Sequence, residues 1–158
     1  MKALIIYESF FSNTEKIAQA IGDSLGTSME VEICKVSQVK PEQLKDLNLL
    51  IAGSATRAFS PSPGTKRFIK SIRPMSLKNV KAAAFDTRIP EDKVKSRALL
   101  FLMKVFGYAA EPISKKLAKK GAHIVIEPEG FFVEDSEGPL RDSELERAAA
   151  WAKEIQRK

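Results

Sequence analysis

Five short apolar runs, rich in Val, Ile, Leu, Ala and Phe, alternate with segments whose apolar residues recur at helical spacing. That alternation admits few folds. Strands separated by helices pair in parallel, because each crossover returns the chain to the same end of the sheet, and the helices then cover both faces. The runs are Ala3 to Tyr7, Val31 to Val36, Leu47 to Ser54, Val80 to Phe85 and His123 to Ile126, the last broken at Glu127-Pro128-Glu129-Gly130 and resumed at Phe131-Phe132-Val133. Leu49-Leu50-Ile51-Ala52 is apolar without alternation, as a strand buried on both faces must be, so the third strand belongs at the centre.

The intervening segments carry helix signals. Ser12 or Asn13 caps a helix with Ile17, Ile21 and Leu25 on one stripe, and Gly26 ends it. Pro41 opens a short helix through Leu44, and a helix from about Thr65 to Ile72 turns Phe68, Ile69 and Ile72 inward. Glu111 to Lys120 reads as a basic amphipathic helix closed by Gly121. Ser143-Glu144-Leu145-Glu146 has capping-box spacing ahead of a last helix whose Leu145, Ala148, Ala149 and Ala152 face inward. Ala98 to Ala110 is apolar almost all round, which means either a helix partly sunk into the protein or, from Leu99 to Phe106, a docking or homodimer surface.

With 158 residues, 44% of them hydrophobic, the chain can bury one substantial core, and residues 1–158 are expected to form one domain. One cysteine and one histidine exclude a disulfide framework, a zinc cluster and Cys/His catalysis, and fit a reducing cytoplasm. Cys34 reads as a strand-core residue, His123 as structural, Trp151 as packed on the sheet, and Glu134, Asp135 and Glu137 as a solvated acidic turn. The net charge of +6 is spread over several helices instead of gathered in a run, so it reads as a solvated basic surface and not a nucleic-acid interface. No apolar run is long enough to span a bilayer.

In open parallel sheets, ligands sit beyond the carboxyl ends of the strands, where the winding reverses. Three loops lie at such ends. Ser9 to Thr14 offers hydroxyls and an amide at the start of a helix, where free N–H groups and the helix dipole favour an anion such as phosphate. Ser54 to Thr65 adds more hydroxyls and Phe59, and Asp86 to Pro90 adds polar backbone with Arg88. Together they suit a ligand with a phosphate at one end and a flat polar ring at the other. Neither GxGxxG nor GxxxxGK[ST] occurs, so dinucleotide and nucleoside-triphosphate sites lack their motifs. A phospho-receiver would need a carboxylate after the third strand and a lysine after the fifth, where this chain has Gly53-Ser54 and Ile126-Glu127.

Ile5-Ile6-Tyr7-x-Ser9-x-x-Ser12-x-Thr14-x-x-x-Ala18-x-x-Ile21 resembles the signature of the flavodoxin family, and Gly53-Ser54-Ala55-Thr56 is similar to that family's loop after the third strand. The resemblance implies an α/β three-layer sandwich with a five-stranded parallel sheet of order 2-1-3-4-5, helices on both faces, the short-chain layout and FMN as cofactor. It places Ser9, Phe10, Phe11, Ser12, Asn13 and Thr14 at the FMN phosphate. Ser54, Ala55, Thr56, Arg57, Ala58 and Phe59, with Asp86, Thr87 and Arg88, flank the flavin ring, Phe59 being the candidate for stacking on it. Arg88 would either stabilise the anionic reduced flavin or stand as a solvated partner of Asp86. Two departures stand out: Ser12 replaces the usual Gly, Ala or Cys, and the chain is basic where electron-carrying flavodoxins display acidic surfaces. Three functions follow: an electron carrier for a redox partner protein, an FMN-dependent NAD(P)H:quinone oxidoreductase, or a flavin-free interaction module.

Overall fold

The computed structural model describes all 158 residues. Strand β1 (Lys2–Glu8) sends Ala3, Ile5 and Tyr7 to one face and Leu4 and Ile6 to the other, every one of them buried. The chain continues through α1 (Asn13–Leu25), β2 (Glu30–Lys35), β3 (Leu49–Ala55), α2 (Pro63–Ser71), β4 (Lys81–Arg88), α3 (Arg97–Phe106), α4 (Ala110–Lys119), β5 (His123–Ile124), β6 (Glu129–Phe132) and α5 (Glu144–Gln156). The expected helix at Pro41–Leu44 is a single 3-10 turn.

The sheet is parallel throughout, in the order β2-β1-β3-β4-β5, with β6 also on the far side of β4. Helices α1 and α5 close one face over Ile5, Ile51, Phe85 and Phe131, with Trp151 packed edge-on to Phe85 and Phe131. Helices α2 and α4 close the other over Leu4, Ile6, Leu50 and Ala84 through Ile69, Ile113 and Leu117. Each fully buried Leu, Ile or Phe in these two layers contributes about 1.5–3 kcal/mol of transfer free energy, before the conformational cost of ordering it. Gly53 lets the Phe85 ring lie flat on β3, since any Cβ there would overlap the ring. Cys34 is half-buried beside the second layer and His123 is exposed at the sheet edge.

Several expectations shift. The fourth strand does not stop at Phe85: Asp86, Thr87 and Arg88 remain in the ladder, all three paired with β6 and the first two also with β3. The fifth strand is two pieces, β5 beside Lys81 and Ala82 and β6 beside Phe85 to Arg88, with the break at Val125 to Pro128, just ahead of the expected one. The capping box at the start of α5 does not form. Ser143 is left-handed with no side-chain cap, and Glu144 is buried instead, accepting from the Phe132 N–H at 2.8 Å and from Arg147. Leu145 consequently stays 44% exposed while Ala148, Trp151, Ala152 and Ile155 turn inward.

Helix α3 is not sunk into the protein. It is an excursion between β4 and α4, and its one buried residue, Met103, belongs to neither core layer. No helix is long and apolar enough to cross a membrane.

Candidate functional site

The winding reverses between β1 and β3, and a cleft of about 340 Å³ opens at the carboxyl ends of β1, β3 and β4. That volume lies within the ordinary range for small-molecule sites, about 300–1,000 Å³. Its floor is the start of α1. Ser12 is left-handed, with φ 61°, and its carbonyl begins the helical ladder by accepting from Lys16 N–H at 3.0 Å. That geometry leaves the N–H groups from Phe10 to Glu15 without an acceptor elsewhere in the chain. The Ser9 hydroxyl, which lines the cleft, is buried and also unpartnered. Buried polar groups are nearly always paired, so a run of free N–H groups beside an unpaired hydroxyl marks a place built for an acceptor. The helix dipole gives that acceptor a negative preference.

Two side chains of this loop are already committed. Thr14 shares a buried 2.8 Å hydrogen bond with Thr87, tying the start of α1 to β4, and the Asn13 amide donates to the Glu137 carbonyl at 3.1 Å. The loop is therefore held in shape by hydrogen bonds that leave its N–H groups free. Tyr7 adds a brace from beneath: its hydroxyl donates to Glu15 at 2.5 Å, and burial together with that carboxylate lifts its pKa from 10.0 to about 12.

The expected cleft residues divide. Ser9, Phe10, Phe11, Asn13, Thr14, Ala55, Thr56, Arg57, Ala58, Thr87 and Arg88 all line the cleft. Ser12, Ser54, Phe59 and Asp86 do not, each for a definable reason. The Ser12 side chain is exposed and bonds to nothing, so only its backbone shapes the site. Ser54 is fully buried in a chain of hydroxyls, bonded to the Ala55 carbonyl, to Ser62 and through it to Thr65, whose N–H donates to Glu8. This network pins the loop after β3 and sets the Glu8 carboxylate at the start of α2, where it complements the dipole.

Phe59 turns away. Ala58 and Phe59 both have positive φ, forming a tight turn closed by reciprocal Arg57–Ser60 hydrogen bonds. The turn carries the Phe59 ring to within 5.9 Å of Phe106 on α3, where it walls a separate apolar groove of about 310 Å³ with Val94, Leu99 and Met103. Thr56, Ala58, Arg88 and Ile89 border both spaces, so groove and cleft adjoin. The aromatic rings left in the cleft are Phe10 and Phe11, and Arg57 lies over Phe10 at 4.6 Å.

Asp86 follows the strand alternation to the α4 side, where it is fully buried and accepts from the Ala110 N–H at 2.8 Å and from Arg88 through two hydrogen bonds of 2.6 Å. Burial pushes the Asp86 carboxyl up from its ordinary value, opposed by those bonds, while Asp86 keeps the Arg88 guanidinium firmly protonated in spite of its own burial. Arg88 lies across Gly130, at a place that any Cβ would fill, and stacks over Tyr108 at 3.7 Å. It is thus paired with Asp86 but not solvated, its side chain 12% exposed, and most of its charge is answered before any ligand arrives.

Four further residues line the cleft: Ile89, Val133, Ser136 and Glu137. The last three lie just past β6. The strand-end rule that selected the loops after the first, third and fourth strands applies equally to the fifth, and would have included them. The acidic turn is not simply solvated, since Glu134 pairs with Lys93 and Arg141.

A three-layer parallel sheet of this order, with an anion-receptive loop after its first strand, is the flavodoxin-like fold. Solved structures bear this out. A flavodoxin from the domain Archaea superimposes with TM-score 0.74 at 19% identity, covering 99% of this chain and 97% of that one. Flavodoxin 1 from Bacillus cereus gives 0.75 at 20%, covering 99% and 98%, and a short-chain flavodoxin associated with a PDU bacterial microcompartment gives 0.78 at 16%, covering 99% and 97%. No protein-family model matches the chain, and no curated protein sequence matches it either.

Proposed function

We propose that the cleft binds FMN and that the protein is an electron carrier for a redox partner. The observation that carries this is the unpaired Ser9 hydroxyl beside free N–H groups from Phe10 to Glu15, a donor set that fits a phosphate monoester. Bound there, FMN would supply one- and two-electron chemistry that no side chain in the cleft provides. The chain's own residues bind and orient it: the α1 loop holds the phosphate end, and the strand ends at Ala55 to Ala58 and Thr87 to Ile89 offer backbone and apolar walls to the ring. Full-length superposition on flavodoxins supports the same reading.

Titration with FMN and with riboflavin, followed by quenching of flavin fluorescence, tests it. FMN is expected to bind much more tightly than riboflavin. Ser9→Ala should weaken FMN about 10- to 100-fold, the equivalent of one hydrogen bond to a charged group, and leave riboflavin unchanged. Equal affinity for the two flavins would refute the phosphate assignment.

The apolar groove beside the cleft favours a second reading, an FMN-dependent NAD(P)H:quinone oxidoreductase, because it offers room for an apolar acceptor next to the ring site. Rapid mixing of FMN-loaded protein with NAD(P)H separates the two: prompt bleaching marks the enzyme, and an unchanged flavin spectrum the carrier.

A further inference from the structure

Helix α3 presents to solvent what a helix normally hides. Met103 faces inward; at about 100° per residue Phe101 and Val105 fall on the opposite side, and they are 65% and 57% exposed. Phe106, Leu99 and Leu102 continue the apolar surface round the helix towards the groove, leaving Arg97 and Lys104 as its only charged stripe. A helix apolar on its outer side needs a cover.

Charge decides between covers. The segment leading to α3 is balanced, with Glu91 and Asp92 offsetting Lys93 and Lys95 and Lys93 paired to Glu134, but α3 itself contains two cations and no acid. A second copy pairing through α3 would set these cations against their own equivalents with no carboxylate on either helix to answer them. The layer into which α3 leads is basic too: α2 and α4 carry six lysines and arginines against Glu111 alone, whereas α1 and α5 carry five acids against three cations. The cover must therefore be apolar and anionic together. Ten residues of helix are about 15 Å long, half the thickness of a bilayer core, so α3 can lie in a membrane interface but not cross it. It is a ridge, and a lipid interface accepts a ridge without a preformed groove. A nucleic acid would answer the cations but leave Phe101 and Val105 in water.

We propose that α3 docks this protein on an anionic lipid surface, with Phe101, Val105 and Leu102 entering the headgroup boundary and Arg97 and Lys104 reaching the lipid phosphates beside them. Docking of this kind brings the groove between α3 and the Phe59 turn to the lipid boundary. The proposal does not depend on the flavin reading, since it rests on α3 and the charge of its neighbours.

Flotation of the protein as purified, with vesicles of equal parts phosphatidylglycerol and phosphatidylcholine, is the test. The protein should float with these vesicles and stay behind with pure phosphatidylcholine, and added salt should weaken the attachment. Phe101→Ser/Val105→Ser and, separately, Arg97→Glu/Lys104→Glu should each lower the partition coefficient at least about tenfold, as expected for losing two buried side chains or reversing two interfacial charges. Both pairs of residues are at the surface, so an unchanged melting temperature keeps folding out of the result. The proposal is overturned if the protein ignores anionic vesicles, or if Phe101→Ser/Val105→Ser floats as well as the wild type. It is equally overturned if that variant splits a dimer while vesicles have no effect, or if single-stranded RNA binds the wild type and the variant alike in preference to vesicles.

Discussion

Removing Arg88 should expose how much the Asp86–Arg88 pair holds together. The carboxylate is fully buried and has three hydrogen bonds, two from Arg88 and one from the Ala110 N–H. Arg88→Ala removes two of the three and the only counter-charge bonded to it, and stranding a buried charge in this way costs about 3–5 kcal/mol. At a urea m-value of about 2 kcal/mol/M the unfolding midpoint should fall by about 1.5–2.5 M. The deficit should also depend on pH, with a definite sign. Burial already raises Asp86 above its ordinary value, and without Arg88 it is raised further. A carboxyl whose folded pKa exceeds its unfolded one favours folding when protonated, so the variant approaches the wild type at acidic pH and falls behind as pH rises through the raised value. Asp86→Asn in the Arg88→Ala background should recover most of the neutral-pH loss and abolish the pH dependence. Urea melts of the wild type and the two variants at acidic and neutral pH measure all of this. A deficit below about 1 kcal/mol, or one equal at both pH values, would refute the reading of Asp86 as a buried charge held by Arg88.

Other outcomes follow from single features. Tyr7, with its pKa lifted from 10.0 to about 12, stabilises the fold fully below pH 10 and loses that contribution as pH rises towards 12; Tyr7→Phe should flatten alkaline unfolding across this window, read by urea melts along the pH series. Gly53→Ala would drive a methyl into the fully buried Phe85 ring and should cost at least about 1–3 kcal/mol, part of it restored by Phe85→Leu, with differential scanning calorimetry as the measure. Ser12→Gly should raise stability by about 0.5–1 kcal/mol, near 2 °C in melting temperature, because relief of a left-handed serine outweighs the entropy of the new glycine; a lower melting temperature would mean that the Ser12 side chain has an unseen role.

The layers were legible in the sequence because strand period and helix period write themselves into which residues are apolar. Leu4 to Tyr7 and Leu49 to Ala52 are fed by two core layers at once and could only be central. The start of α1 was legible because the donors concentrate in consecutive residues. What escaped was decided by groups far apart in the chain. Asp86 looks like a strand-end polar residue until the N–H of Ala110 is beside it, and Phe59 looks like a flavin wall until the turn at Ala58 swings it to Phe106. Ser143 and Glu146 have the spacing of a capping box, but Ser143 sits in the left-handed region with no side-chain cap, next to a Glu144 held in the interior by Phe132 N–H and Arg147. Exposure of α3 was beyond any periodicity argument, since an apolar helix says that it needs a cover and not where the cover comes from.

The divided outer strand has an engineering consequence. Between the pairing of Ile124 with Ala82 and that of Glu129 with Phe85, the outer strand advances five residues while β4 advances three, so two residues of slack are spent in the break. Each half is registered on β4 independently, and the break lies at the sheet's open edge. Val125 still donates its N–H to Ala82 and packs with Ile126 on the core, so Glu127 and Pro128 are the natural splice point: a peptide tag, a sensor module or new chain termini placed there should lengthen an existing detour and leave both halves of the strand, and the cleft beyond them, in register.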